Sequence, residues 1–166
     1  MKKQFSILKK GLLIVVLAFV VMPAFSQSRL LVGSWHLTAA DKILPDGSQV
    51  ADYGKSPRGI AIFTADGHYV IEIFRSDRLK FASGDRAKGT PEEYKDAVLS
   101  TSCHFGTYTV DAAKSTITFH LDGASYPNWD ETTRVSSFKL EGNELTWRVP
   151  PRPDGSIPVS IFNRMP

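Results

Sequence analysis

From Trp35 onward apolar and polar residues alternate in short runs, and most runs end in turn residues. Successive side chains of a strand point to opposite faces, so a period of two marks strands with one buried face. Trp35-His36-Leu37-Thr38-Ala39 opens the series, and Pro45-Asp46-Gly47-Ser48 supplies the first turn. Arg58 to Thr64 alternates around Ile60 and Ile62, and Asp66-Gly67 folds it back onto His68-Tyr69-Val70-Ile71-Glu72-Ile73-Phe74. Later strands are predicted over His104 to Val110, Thr116 to Leu121, Thr132 to Leu140, Leu145 to Val149 and Val159 to Arg164. Asp111 to Ser115 and Glu141-Gly142-Asn143 are turns between them. Pro150, Pro151, Pro153 and Pro158 cannot donate to a ladder, so that stretch reads as loop or sheet edge.

One segment breaks this rhythm. Thr90-Pro91-Glu92-Glu93 is a capping box with proline at the first helical position, which predicts a short helix near residues 91–100. Tyr94, Ala97, Val98 and Thr101 share one face at helical spacing. Such a helix either plugs or flanks one end of a barrel, or is a mere connector. Eight or more short strands joined by hairpins predict an all-β, closed antiparallel barrel, because closure removes exposed sheet edges. A β-sandwich is the alternative.

The N-terminus follows another pattern. Lys2, Lys3, Lys9 and Lys10 precede or border an unbroken apolar run from Leu12 to Val21. Pro23 breaks it, and Ala24 and Ser26 fit the −3 and −1 positions of a cleavage site. Residues 1–26 are therefore expected to be a cleavable signal peptide, with an uncleaved anchor as the alternative, and 27–166 a single domain. The run is short for a membrane span, so no stable membrane insertion is expected after cleavage. No cysteine stands directly after the run, which excludes lipid attachment there. The expected location is periplasmic or secreted, in a bacterium.

This changes the charge balance. The full chain has 20 Lys and Arg against 17 Asp and Glu, a net of +3. Without the four signal lysines, 16 bases face 17 acids, a net of −1. That removes the main support for a nucleic-acid partner. Cys103 is the one cysteine, so an intramolecular disulfide is impossible. It reads most simply as a small buried hydrophobe.

Several ordered motifs resemble a known family. Leu31-Val32-Gly33-Ser34-Trp35 contains the Gly-x-Trp signature that begins the first strand of lipocalins. A bacterial lipocalin-like domain family is closer. The resemblance runs from Leu31 to Val149 through Tyr53-Gly54, Pro57-Arg58-Gly59, Asp66-Gly67-His68, Phe81-Ala82-Ser83-Gly84-Asp85-Arg86, Phe105-Gly106-Thr107-Tyr108 and Pro127-Asn128-Trp129. It implies a lipocalin-like (calycin) β-barrel that binds a small molecule. The Thr-Asp-Tyr pattern of animal lipocalins is missing, so those carriers are poor guides to the ligand. The resemblance also implies that Trp35 closes one barrel end beneath a late-strand arginine, with Arg164 first and Arg148 second.

The chain has no Gly-x-Ser-x-Gly elbow, no His-Glu-x-x-His, no Cys pair and no phosphate-binding glycine loop. No cofactor is expected. His36, His68, His104 and His120 lack metal-ligand spacing, and no metal site is expected. Cys103 and His104 are strand neighbours that face opposite ways.

Candidate ligand-binding residues fall in a few places. His120, Tyr126, Asn128 and Trp129 form a polar-aromatic segment of the kind that orients ligands. Ile117, Phe119 and Leu121 put His120 on the opposite face, either the outer surface or a polar lining. Arg75 to Arg86, which includes Phe81, reads as a long mouth loop, either solvated or a lid whose arginines meet an anionic head group. Glu72 is a candidate if it faces inward beside Arg75 or Arg134. Tyr108 completes the set.

Three functions stay open. The first is an exported barrel that binds a small hydrophobic or amphipathic ligand. The second is a barrel enzyme (isomerase, cyclase or hydrolase) acting on a lipid-like or polyketide-like substrate, with His120 or Glu72 as acid or base. The third is a barrel filled by its own side chains. The enzyme needs His120 and Glu72 in one cavity.

Overall fold

The computed structural model describes residues 29–166. The expected signal peptide lies outside these residues. Nine strands are described: β1 (Gly33–Ile43), β2 (Gln49–Ala51), β3 (Arg58–Phe63), β4 (His68–Phe74), β5 (Thr101–Asp111), β6 (Thr116–Ala124), β7 (Thr133–Glu141), β8 (Glu144–Arg148) and β9 (Ile157–Arg164). All pairings are antiparallel between neighbours, and β1 also pairs with β9. Eight strands thus close a barrel, and β2 is a short ribbon against the far half of β1. The β1–β2 turn is the predicted one, with Gly47 at φ +84°.

The alternation in the sequence becomes the inside and outside of this wall. Trp35 and Leu37 on β1, Tyr69, Ile71 and Ile73 on β4, and Ile117, Phe119 and Leu121 on β6 are all buried. Two bulges shift the pattern where a closed sheet must bend. Thr38 is extra between the pairs Leu37–Phe162 and Ala39–Ile161, so the next buried residue is Ala40. Asp122 is extra between the pairs Gly106–Leu121 and Phe105–Gly123. Gly106 faces this bulge at φ +154°, and any Cβ there would collide with the His120 carbonyl oxygen.

Aromatic rings fill one half of the interior. Phe63 meets Tyr108 edge-on at 4.9 Å, Tyr69 meets Phe119 at 4.8 Å, and Trp147 stacks on Phe162 at 4.3 Å. Trp35 seals that end with no solvent exposure. Its Nε1–H donates to the Leu31 carbonyl at 2.8 Å. Arg164, directly opposite in the ladder, stands 4.0 Å from the ring centroid. Its guanidinium donates to the carbonyls of Val32 at 2.6 Å and Leu30 at 2.9 Å. The exposed Arg148 takes no part in this contact.

Pro158 lies inside β9, not in the preceding loop. It stands opposite Lys42, and its carbonyl accepts from the Val149 N–H at 3.0 Å. Pro158 lies one position past the last β8–β9 pair, Arg148–Val159, at the end of that ladder, where a missing donor is tolerated.

The helix α1 (Pro91–Leu99) carries the predicted capping box. Thr90 Oγ1 accepts from the Glu93 N–H at 3.2 Å, and the Glu93 carboxylate accepts from the Thr90 N–H at 2.7 Å. None of its residues is buried, and Val98 and Leu99 are exposed, so α1 flanks the barrel and does not plug it. Asp96 fastens it by accepting from the Leu79 N–H at 2.8 Å and pairing with Arg75. With so little burial, the cap carries much of the helix. Thr90→Ala is expected to cost about 1 kcal/mol, read as a lower urea midpoint.

Candidate functional site

At the end opposite Trp35 the barrel interior is open. A cavity of about 430 Å³ lies there, within the range of small-molecule sites. Ile71, Ile73 and Val149 form apolar walls, and Trp147 separates the cavity from the filled half. Its rim comes from three connections. Tyr53 belongs to the β2–β3 segment, Trp129 to a single 3-10 turn (Pro127–Trp129) between β6 and β7, and Pro150, Pro151 and Pro153 to the β8–β9 segment.

An ion pair ties two of these connections together. Arg152 donates to both carboxylate oxygens of Asp52, at 2.6 and 3.3 Å, and Lys42 lies 3.2 Å from the same carboxylate. Burial pushes the Asp52 carboxyl up, but Arg152 and Lys42 outweigh it and hold the group below the ordinary carboxylate range. Tyr53 next to it is pushed up, first by burial and then by the Asp52 charge.

Deeper in, His104 Nδ1 is 2.9 Å from the Tyr69 hydroxyl. Burial, helped by the nearby Arg134 charge, lowers the imidazole to about 4, so it is neutral at ordinary pH. Burial pushes the Tyr69 phenol up. Arg134 extends from the inward face of β7, opposite Phe119, and stacks 3.7 Å from the Trp129 ring centroid. Burial lowers it from its usual value.

Of the nine expected ligand-binding residues, Trp129 and Arg134 line the cavity. Glu72 does not. Tyr69, Ile71 and Ile73 take the inner face of β4, which leaves Glu72 exposed on the outer face opposite Ile60 and Cys103. His120 is likewise exposed on the outer face of β6, with Nδ1 2.9 Å from Thr133 Oγ1. The enzyme reading required these two residues in one cavity, and the geometry separates both from it. Arg75 is engaged by Asp96 and by Asp77 at 2.7 Å. Phe81 packs edge-on against Tyr94 of α1 at 5.4 Å. Tyr108 sits in the filled half, donating to the Thr64 carbonyl at 3.0 Å. Tyr126 and Asn128 are exposed, and the Tyr126 ring stands 5.5 Å from that of Trp129.

Sequence reading missed His104, Tyr53 and Arg152 as lining residues. One signal was available for His104. It shares the parity of Tyr108 and Val110, both of which are buried. Among the described residues, no group of His, Cys, Asp or Glu is arranged to hold a metal ion.

No curated protein matches the chain. A solved structure of a lipocalin-like protein from Bacteroides uniformis is similar at 18% identity, covering 81% of this chain and 98% of that one, with a TM-score of 0.41. The sequence profile of the lipocalin-like domain family matches residues 32–164, from the edge of β1 to the end of β9, and the chain belongs to that family.

Proposed function

We propose that this barrel binds a small hydrophobic or amphipathic molecule in the open half of its interior. The cavity of about 430 Å³ carries the reading. A barrel of this size can fill itself with side chains, as this one does over its other half. Walls of Ile71, Ile73 and Val149 favour an apolar body, at about 25 cal/mol per Å² buried before the costs of association. Arg134, His104 and Tyr53 are the polar groups that fix orientation.

We further propose that the protein acts outside the cytoplasm after losing residues 1–26. The basic start, apolar run and small-residue cleavage site support this. A periplasmic fraction of the expressing cell is expected to hold the shortened mass. Finding only the full-length mass in the membrane fraction would overturn it.

Binding is tested with uncharged phenylnaphthylamine, whose fluorescence rises in apolar surroundings, and with native mass spectrometry of the purified protein. Saturable dye binding that Ile73→Trp abolishes is the expected result, while His120→Ala leaves it unchanged. A folded protein with no dye binding and no adduct mass would sink the carrier reading.

A further inference from the structure

Two arginines in this molecule lie over tryptophan rings, one at each end of the barrel, and they differ in what their N–H groups meet. Arg164 over Trp35 donates to the carbonyls of Leu30 and Val32. Arg134 over Trp129 has no hydrogen-bond acceptor and no ion pair among the described residues. The third arginine of interest, Arg152, is already engaged by Asp52 through both carboxylate oxygens. No carboxylate is among the described residues lining the cavity.

We propose that the cavity takes an anion: a compact molecule with an apolar, preferably aromatic body, whose carboxylate or sulfonate oxygens are received by the Arg134 guanidinium. This rests on the cavity being a ligand site and adds the chemical class. A half-buried charge facing apolar walls is costly without a counter-charge, and the protein supplies none at Arg134. The planar guanidinium presents a fork of donors that matches two oxygens of one anion, and the Trp129 face holds that plane in place. His104 adds no competing charge, because its imidazole is neutral. When Tyr69 donates to Nδ1, the imidazole proton sits on Nε2 as a further donor. The mouth-loop arginines are poorer receivers. Arg75 is held by Asp77 and Asp96, and Arg78 lies over Phe74 and donates to Ser100.

Two dyes with one ring system separate this inference from the broader one. Anilinonaphthalene sulfonate carries the anion, and phenylnaphthylamine lacks it. The purified protein is expected to bind the sulfonate about tenfold more tightly than the neutral dye, as a charge-assisted pair would give. Arg134→Gln should lose about tenfold for the sulfonate and stay within about twofold for the neutral dye. Arg134→Lys, which keeps the charge without the fork, should fall between. Ile73→Trp should abolish the binding of both dyes.

Equal affinities in the unaltered protein overturn the anion inference and leave the carrier reading standing. So does a sulfonate affinity that Arg134→Gln does not change. Sulfonate binding that survives Ile73→Trp lies outside the cavity and also overturns it. If neither dye binds the folded protein, both readings fall.

Discussion

Trp35→Ala is expected to lower the unfolding free energy by about 3–5 kcal/mol. In a domain of this size that lowers Tm by roughly 10 °C or more. Trp35 has no exposed surface, so the whole ring is lost from a closed barrel end. The truncation also strands two partners. The Leu31 carbonyl loses its donor, and the Arg164 guanidinium loses the ring 4.0 Å beneath it. A cation over an aromatic face contributes about 0.5–2 kcal/mol, and an unmet buried carbonyl costs about 1–3 kcal/mol. Urea unfolding measures the loss. Trp35→Phe separates these effects, because it keeps a ring under Arg164 and removes only the indole N–H and some volume. It should cost about half as much. A midpoint unmoved by Trp35→Ala would show that this ring does not close the barrel.

The second large effect is acid sensitivity through His104. Its folded value is about 4, against an ordinary histidine value near 6.5 in the unfolded chain. Between those values the unfolded chain holds the extra proton, so stability rises with pH. The contribution is fully present above about pH 6.5, is lost as the pH falls toward about 4, and changes no further below that. The whole step is about 3 kcal/mol, with about 2 kcal/mol gone by about pH 5. His104→Gln should flatten this part of the curve. Asp52 loses its contribution in a lower window, because its folded carboxyl lies below the usual range. Urea midpoints for both proteins at neutral pH and at about pH 5 decide the matter. Equal losses would show that His104 is already solvated in the native barrel.

The strand series was legible because alternation is a direct record of a two-faced wall. The helix was legible because a capping box uses local chemistry alone. The bulges at Thr38 and Asp122 were not, since each depends on how far two distant strands must bend to close. β4 shows why facing is hard to read. Val70 and Phe74 on one side are as apolar as Ile71 and Ile73 on the other, so the pattern alone left Glu72 ambiguous. β6 was clearer, because its outward set is Thr118, His120 and Asp122. The site was only partly readable for a different reason. Arg134 and Trp129 are close in sequence, but Asp52 and Arg152 stand 100 residues apart, and nothing local marks either as a partner. The proline segment carried a signal for loop or sheet edge and none for its place at a cavity rim.

The seam that closes the barrel joins the first strand to the last. Thr38 bonds the Ile161 carbonyl across 123 positions, and Arg164 reaches Val32 across 132. Contacts so distant along the chain make folding slow, because the ends must find each other before the pairing rewards them. The wall therefore stays unsealed until β9 has found β1. Until they meet, β1 and β9 each leave an unpaired edge that another chain can join, so the slowest step of folding is also the one most open to mispairing.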